Sequence, residues 1–222
     1  MYKAHILIYK TNQKEIPELT GMVIPERVFS KLDYYATIFE PIKKAIRPFD
    51  KDNILDQHFL NSRGAIARFD RSAIEIRLMD IQECPKADIA ICALVIAVLK
   101  ALVNKDFCSL QAQKRWTKEE LFPIFNDVIK HAENSEIINL EYLELFGIKK
   151  VSTVNDVWKQ LYLAVKPKLH KSHYEAIEFI LEEGTLATRI LKSIGNNTSE
   201  AHIISVYRKM QNCLKTNTLF QP

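Results

Sequence analysis

The chain has 222 residues, of which 47% are hydrophobic and 26% charged, so it has enough apolar side chains for one or two folded domains and global disorder is excluded. Its 31 basic and 27 acidic residues leave a net charge of +4 that is spread along the sequence, which argues against a dedicated nucleic-acid binder. The 4 cysteines form no CxxC pair and no secretory signal precedes them, so a reducing, cytoplasmic location is expected.

The N-terminal region gives one clear helix prediction. Residues 4–9 are apolar, but the run is compatible with either a strand or a helix. Further on, Val28, Tyr35 and Phe39 recur at helical spacing, which predicts a helix. Pro41 is expected to kink this helix or to end it before residue 46.

Residues 59–80 form the only convincing β region of the sequence. Two runs rich in apolar residues, 65–69 and 73–78, lie on either side of the polar turn at 70–72. Short apolar runs around a polar turn are typical of a hairpin. The sequence therefore predicts an antiparallel β-hairpin here.

The second strand of this hairpin separates apolar from charged side chains. Because successive residues of a strand point to opposite faces, Ile74, Ile76 and Leu78 share one face, and Glu75 and Arg77 share the other. We expect the apolar face to pack on helices. The other face then presents a carboxylate beside a guanidinium.

Everything after residue 85 is predicted to be helical. The first helix, at 87–104, is apolar on nearly every face and is expected at the centre of the core. Its apolar run is too short for the roughly 20 residues that cross a membrane. Further helices are predicted from a capping box at Thr117 and Glu120, at 140–146, at 154–165, from a capping box at Ser172 and Glu175 to Gly184, at 185–194 and at about 199–216.

The charged residues of the hairpin suggest binding of a metal and an anion. Glu75 offers a hard oxygen ligand for magnesium, and Arg77 offers a planar fork for phosphate oxygens. The preceding run adds Arg63 and Arg68, with Gly64 allowing close approach of the backbone. The alternative is an ordinary set of cross-strand charges on a solvated sheet face.

Other signals are weaker. The 5 glycines form neither GxxxxGK nor GxGxxG, so phosphate-loop NTPases and Rossmann dehydrogenases have no support. His58 lies just before the hairpin and could approach the site, although a structural role is more common for such a residue.

Three stretches carry a resemblance to a known family: Asn61-Ser62-Arg63-Gly64-Ala65-Ile66-Ala67-Arg68-Phe69-Asp70, Glu75-Ile76-Arg77 and Asp80-Ile81-Gln82-Glu83-Cys84-Pro85. Together they resemble the signature of the carboxylate-amine ligases of the glutamate-cysteine ligase type, second type, in the C-terminal half. The similarity covers most of the chain. It implies an α+β fold in which residues 1–86 form part of a glutamine-synthetase-like antiparallel sheet and residues 87–222 form a helical region packed on it, in one continuous domain.

The resemblance also implies an activity. In this family the γ-phosphate of ATP activates a carboxylate, typically that of glutamate, as an acyl phosphate. An amine such as cysteine then displaces phosphate, as in glutathione biosynthesis. ATP is a substrate and Mg²⁺ a cofactor.

Site residues are carried over by matching positions. Glu75 matches a metal-binding glutamate and Arg77 a phosphate-binding arginine, with Arg77 and Arg68 as the catalytic candidates. Asn61 and Arg63 match motif positions expected to contact ATP or substrate, as Arg77 does. For Asn61, Arg63 and Arg68, structural pairing is the alternative.

One departure from the family is length. Members are about twice as long, and their N-terminal half carries further metal-binding carboxylates and strands. We therefore expect a complementary N-terminal half or a homo-oligomer as a partner, in addition to ATP and the amino-acid substrates, and no nucleic acid or membrane. The alternative function is a truncated, noncatalytic interaction or metabolite-binding module.

Overall fold

The structure is a computed structural model that describes residues 13–222. The apolar run at 4–9 lies outside the described residues. Within them the fold combines many helices with two antiparallel sheets of two strands each, which confirms the predicted α+β class at this level.

Contacts within the chain divide it into two compact units. Unit 1 comprises the described part of Met1–Met79 together with Lys114–Ile129, and unit 2 comprises Asp80–Gln113 and Lys130–Pro222. The hairpin belongs to unit 1. A segment from the second half of the chain therefore completes the unit that holds the hairpin.

The elements up to residue 131 are a 3-10 turn Pro17–Leu19, α1 Lys31–Tyr34, a π-helical turn Tyr35–Phe39, α2 Glu40–Ile46, α3 Gln57–Leu60, β1 Ala65–Arg68, β2 Ala73–Ile76, α4 Pro85–Val103, α5 Leu110–Lys114 and α6 Lys118–His131. The later elements are 3-10 turns Ala132–Asn134, Lys166–Lys168 and Lys171–His173, strands β3 Glu136–Ile137 and β4 Ser152–Thr153, and helices α7 Leu140–Glu144, α8 Val154–Val165, α9 Tyr174–Glu183, α10 Leu186–Ile194 and α11 Glu200–Thr216.

The core of unit 1 forms around the helix predicted before residue 46. The backbone N–H of Glu40 bonds to the carbonyl of Tyr35, so a π-helical turn joins α1 to α2 just before Pro41. Proline lacks an N–H group and its ring crowds the preceding turn, which accounts for the irregularity at this point. Buried side chains of this segment form one cluster with Leu19 of the 3-10 turn; its other members are Tyr34, Ile38, Phe39 and Ile42.

Helix α4 is buried on one side only, which corrects the prediction that it is central to the core. Its buried face is built mostly from small residues: Ala87, Ala90, Leu94, Ala97, Val98 and Ala101. This helix contacts α8 and α9 in unit 2. Its other side exposes the apolar side chains of Ile89, Ile96, Leu99 and Val103.

None of the helices within residues 13–222 is both long and apolar enough to span a bilayer.

Unit 2 contains a second small sheet that the sequence did not predict. Strands β3 and β4 pair antiparallel, with Glu136 opposite Thr153 and Ile137 opposite Ser152. The expectation that everything after residue 85 is helical is therefore wrong at this point. Strands of two residues are too short to produce the alternation by which a strand is recognised.

Helix α9 begins later than the predicted capping box. Ser172 lies in a 3-10 turn and the helix begins at Tyr174, without a side-chain cap at its start. Glu175 forms an ion pair with Lys86 at 2.7 Å instead of closing a capping box. The other predicted box is confirmed, because the N–H of Thr117 donates to Glu120 at 2.8 Å and the N–H of Glu120 donates back to the Thr117 hydroxyl at 3.3 Å.

A fully buried ion pair lies in unit 2. Arg189 Nη1 donates to Glu83 Oε1 at 2.6 Å, and both side chains are 0% exposed. Glu83 Oε1 also accepts the backbone N–H of Phe220 at 3.0 Å, and Arg189 Nε donates to the carbonyl of Gly184 at 3.1 Å. The pair therefore ties the segment before α4 to α10 and to the C-terminal residues.

Candidate functional site

The predicted hairpin is confirmed, with β1 and β2 antiparallel. Its register places Ile66 opposite Glu75 and Arg68 opposite Ala73. Directly opposed residues of an antiparallel pair share a face of the sheet. Glu75 and Arg68 therefore lie on the same face, where Ile66 is buried.

The burial of the two hairpin faces is the reverse of what we expected. Ile74 and Ile76 are exposed, whereas Glu75 and Arg77 are only partly exposed. The prediction that the apolar side of β2 packs on helices is therefore wrong for both isoleucines. The charged side is partly buried because it carries a network of ion pairs that satisfies its polar groups.

Gly64 is a point of close approach, as predicted. A Cβ atom at this position would collide with the side chain of Leu78, which is partly buried over it. The Gly64 carbonyl also accepts the backbone N–H of Arg77 at 2.8 Å. These contacts hold Arg77 directly beside the start of β1.

Glu75 lies between two guanidinium groups. Arg68 Nη1 donates to one of its carboxylate oxygens at 2.8 Å, and Arg77 Nε donates to the other at 2.9 Å. Burial alone would raise the pKa of Glu75, but the hydrogen bonds and charges of the two arginines outweigh it, and the pKa is lowered. The carboxylate is therefore ionised at neutral pH. Its side chain is 38% exposed, so solvent reaches it.

Arg77 has spare donor capacity at a partly exposed position. Beyond Glu75 it donates to the carbonyl of Asn61 at 2.6 Å and to that of His58 at 3.3 Å. These three bonds use three of the five N–H groups that a guanidinium carries. Its side chain is 20% exposed, so an anion can approach the remaining donors.

Arg68 is buried and paired with a second carboxylate. Its Nε and Nη2 atoms donate to the two oxygens of Asp70 at 3.0 and 2.8 Å, in addition to the bond to Glu75. The hydrogen bonds from Arg68 lower the pKa of Asp70 to about 2. The pKa of Arg68 is raised by the same bonds. Asp70, in the turn of the hairpin, was not singled out from the sequence as a site residue.

Asn61 and Arg63 are buried in contacts with the rest of unit 1. Arg63 makes a bidentate ion pair with Glu26, in which Nη2 donates to Oε1 at 2.9 Å. Its Nη1 donates to the side chain of Asn61 at 3.1 Å, and Asn61 donates to the hydroxyl of Tyr34 at 3.0 Å. Lys118 also contacts Glu26, at 3.3 Å. These contacts fix the position of the chain just before β1.

The pKa of Glu26 is set by this environment. Burial raises the pKa of Glu26. The hydrogen bond and the charge of Arg63 lower the pKa by a larger amount together, so the net shift is downward. Glu26 lies 37 residues before Arg63 in the sequence, so spacing gives no signal for the pair.

His58 lies at the edge of the charged network. Its Nδ1 contacts the carboxylate of Asp56 at 3.0 Å, and its Nε2 lies 3.8 Å from Oδ1 of Asp70. Within the described part of the chain, this Nε2 is buried without a hydrogen-bond partner. The sequence favoured a structural role for His58. The structure places it beside a hairpin carboxylate and packs its ring edge-on to Phe39.

The donor set can supply part of a magnesium site. Residues 13–222 contain no group of three or more His, Cys, Asp or Glu side chains arranged to hold a metal. Magnesium, however, is often bound through one or two carboxylates together with substrate phosphates, and not by an all-protein cage. Each oxygen of Glu75 accepts one guanidinium hydrogen bond, and a carboxylate has about four lone-pair sites in total. Glu75 therefore fits a magnesium ion that arrives with a phosphate ligand.

Comparison with known proteins gives one informative match. No protein-family model matches the chain, and no solved structure matches it. An uncharacterized protein of the archaeon Archaeoglobus fulgidus is 31% identical over 215 residues, which cover 97% of this chain and 51% of the archaeal protein. The chain thus spans about half the length of the curated relative that it matches.

Proposed function

We propose that the chain forms the C-terminal part of an ATP-dependent carboxylate-amine ligase of the glutamate-cysteine type. The observation that carries the proposal is the ionised, partly exposed carboxylate of Glu75 between Arg68 and Arg77 on one face of a hairpin. Phosphoryl transfer depends mainly on positioning and on neutralising charge, and this face combines a hard oxygen ligand with guanidinium groups. The sequence resemblance around Asn61 supports the same assignment.

The residues take different roles in this proposal. Glu75 would ligate a magnesium ion that carries the ATP phosphates, and that ion would neutralise developing phosphate charge. Arg77 would donate its two remaining N–H groups to a phosphate oxygen. Arg68 would hold Glu75 and Asp70 in place beside the reacting groups. The contacts of Asn61 and Arg63 support a positioning role for these two, because their polar groups already bond to protein partners.

The finer fold and the partners belong to the same proposal. The hairpin would be one part of a larger glutamine-synthetase-like antiparallel sheet, and the exposed apolar side chains of Ile74 and Ile76 are consistent with further strands or side chains packing there. The archaeal relative contains about as many residues again outside the matched region. We propose that equivalent residues supply the remaining metal ligands and the pockets for a glutamate-like acid and an amine such as cysteine.

Binding of magnesium and ATP to the folded chain tests the proposal. A ligand that binds only the folded state at about 100 times its Kd stabilises it by about 2.7 kcal/mol, which for a chain of this length corresponds to a rise in Tm of roughly 5 to 10 °C. We expect such a rise with magnesium and ATP together, and little with either alone. Thermal unfolding followed by circular dichroism measures it.

Matched variants assign the effect to the site. Glu75→Gln preserves shape but removes the charge, so it should abolish the magnesium-dependent rise. Glu40→Gln removes an exposed carboxylate of the same unit, which pairs with Lys43, and should keep the rise. If the wild-type chain gains no magnesium-dependent stability, or if both variants behave alike, the proposed site is wrong.

A noncatalytic anion-binding module is the second candidate. The observation that favours it is that both carboxylate oxygens of Glu75 already accept guanidinium hydrogen bonds, whereas Arg77 keeps two N–H groups for an anion. Such a module would bind ATP or another polyanion without magnesium. A rise in Tm that occurs equally with ATP alone and persists in Glu75→Gln would favour this function over the ligase.

A further inference from the structure

His58 carries a buried ring nitrogen that lacks a hydrogen-bond partner. Within residues 13–222 no protein atom forms a hydrogen bond with its Nε2, and this atom is closed to solvent. The side chain as a whole is 11% exposed, and its ring packs edge-on against Phe39. Buried polar atoms are nearly always paired in folded proteins, so this nitrogen is an exception that points to a role.

The other ring nitrogen of His58 is fixed by Asp56. Nδ1 lies 3.0 Å from Oδ1 of this carboxylate. The backbone N–H of His58 donates to the same oxygen at 2.7 Å, and this bond is the largest cause of the lowered pKa of Asp56. Asp56 is therefore ionised at neutral pH and only accepts hydrogen bonds, so Nδ1 carries a proton and donates it. Nε2 is then either a bare lone pair or a second N–H group.

The carboxylate of Asp70 faces Nε2. Its Oδ1 lies 3.8 Å from Nε2 and accepts the Nε of Arg68 at 3.0 Å. The hydrogen bonds of Arg68 lower the pKa of Asp70 to about 2, so this oxygen is anionic at neutral pH. A lone pair on Nε2 would be repelled by that negative charge, with no solvent at the nitrogen to screen it. An N–H group at the same place is attracted.

Charged groups of three elements surround the ring. Asp56 at the start of α3 faces one nitrogen, and Asp70 in the hairpin turn faces the other. Arg68 and Arg77 of the hairpin donate to carboxylates and to backbone carbonyl oxygens. The ring of Phe39 adds no charge. A doubly protonated ring therefore has a carboxylate for each of its N–H groups.

His58 is connected to both guanidinium groups that hold Glu75. On one side, its ring shares Oδ1 of Asp70 with Arg68, and Arg68 donates to one oxygen of Glu75. On the other side, the carbonyl of His58 accepts Arg77 at 3.3 Å, and Arg77 donates to the second oxygen of Glu75. A change of charge on the ring alters the force on Asp70 and, through it, the position of Arg68.

We propose that protonated His58 is a positioning residue that holds Asp70 and Arg68 in their arrangement at the hairpin. Because Arg68 holds Glu75, binding of magnesium with ATP selects the protonated ring and weakens when the proton is lost. The apparent Kd then rises by up to about tenfold for each pH unit above the midpoint of the ring titration. The effect on ATP rests on the proposed ligase function, whereas the pairing of His58 with Asp70 does not.

NMR titration of the full chain without ligand tests the pairing. The Nε–H signal of Arg68 should shift with the same midpoint as the His58 ring signals, because both groups meet the same oxygen of Asp70. Asp70→Asn removes the negative charge and should move the His58 midpoint to lower pH. The matched control is Asp52→Asn, which removes an exposed carboxylate of the same unit and should leave the midpoint unchanged. A midpoint that is the same in Asp70→Asn and the wild type, or an Arg68 signal that does not follow the ring, would overturn the proposal.

Calorimetric titration with ATP and magnesium between about pH 5 and 8, the range in which histidine titrates, tests the effect on the site. The apparent Kd of the wild type should rise across this range. His58→Gln offers Asp70 a neutral amide N–H and should remove the part of the pH dependence that comes from the ring. His131→Gln removes an exposed histidine at the end of α6 and should keep the wild-type profile, and titration of ATP itself is common to all three proteins.

The outcomes separate the two proposals. If the wild type and His58→Gln bind ATP with one and the same pH profile, His58 does not position the site. If none of the proteins binds ATP with magnesium at any pH, the proposed ligase function is wrong, and the NMR titration still decides whether His58 pairs with Asp70 and holds Arg68.

Discussion

Two arginine-carboxylate networks of this chain use the same chemistry in opposite surroundings. In unit 2, the Arg189 and Glu83 side chains are both 0% exposed. In unit 1, Arg68 is also buried, with 4% of its side chain exposed, but the carboxylates that it holds, Glu75 and Asp70, are 38% and 40% exposed. The first network is closed to any ligand. The second keeps ionised oxygens at the surface, and this makes it the candidate site.

The comparison teaches that pairing alone does not identify a functional site. Both networks contain short, charge-assisted hydrogen bonds, and both lower the pKa of a glutamate. They differ in whether the carboxylate can still meet solvent. The pair of Arg63 and Glu26 is intermediate in exposure, with side chains 4% and 16% exposed. Because its further contacts are to Asn61 and Lys118 of the protein itself, its role is structural, like that of the pair of Arg189 and Glu83.

The largest effect is expected in the closed network. Arg189→Met leaves the Glu83 carboxylate buried without its cation, which should lower the free energy of unfolding by about 3 to 5 kcal/mol. Urea denaturation followed by circular dichroism measures this loss. The double variant Glu83→Gln with Arg189→Met removes the stranded charge while keeping an acceptor for the N–H of Phe220, so it should recover part of the loss. If Arg189→Met alone lowers the free energy of unfolding by less than about 1 kcal/mol, the ion pair does not contribute substantially to the stability of unit 2.

An intermediate effect is expected for Arg63. Arg63→Met removes both donors to Glu26 and the bond to Asn61, and should cost about 2 kcal/mol of unfolding free energy. Lys118→Met is the matched control, because it removes a single, more exposed contact to the same glutamate. It should cost less than about 1 kcal/mol. If the two losses came out in the reverse order, the bidentate pair would not be the dominant contact of Glu26.

The smallest effect is a change in pH dependence at the hairpin. The pKa of Asp70 falls from its ordinary value of 3.8 to about 2. A carboxylate with a depressed pKa stabilises the fold fully above its ordinary pKa, and this contribution is lost as the pH falls toward the folded value. Asp70→Asn should therefore reduce the loss of stability between about pH 4 and 2. Urea unfolding at several pH values between 5 and 2 measures the slope. A slope equal to that of the wild type would mean that Arg68 does not hold Asp70 as described.

Local pattern was enough to predict the hairpin. Two short apolar runs around the Asp70-Arg71-Ser72 turn fixed both strands and, through alternation, the shared side of Glu75 and Arg77. The capping box at Thr117 was also predicted correctly, because its hydrogen bonds join residues three positions apart. These features depend on neighbours in sequence, so the sequence by itself determined them.

Tertiary structure decided which surfaces are covered. Alternation separates the two faces of β2 but does not say which face meets the core. The charged face is the more buried one, because Arg68 and Arg77 donate hydrogen bonds to Glu75 there. The partners Glu26 for Arg63 and Glu83 for Arg189 lie 37 and 106 residues away, so no spacing rule could pair them. Helix α4, apolar on nearly every side in sequence, became a helix with one buried and one exposed face because neighbouring helices of unit 2 contact only one side of it. Burial depends on how distant segments meet, and the sequence pattern of one element carries no record of that.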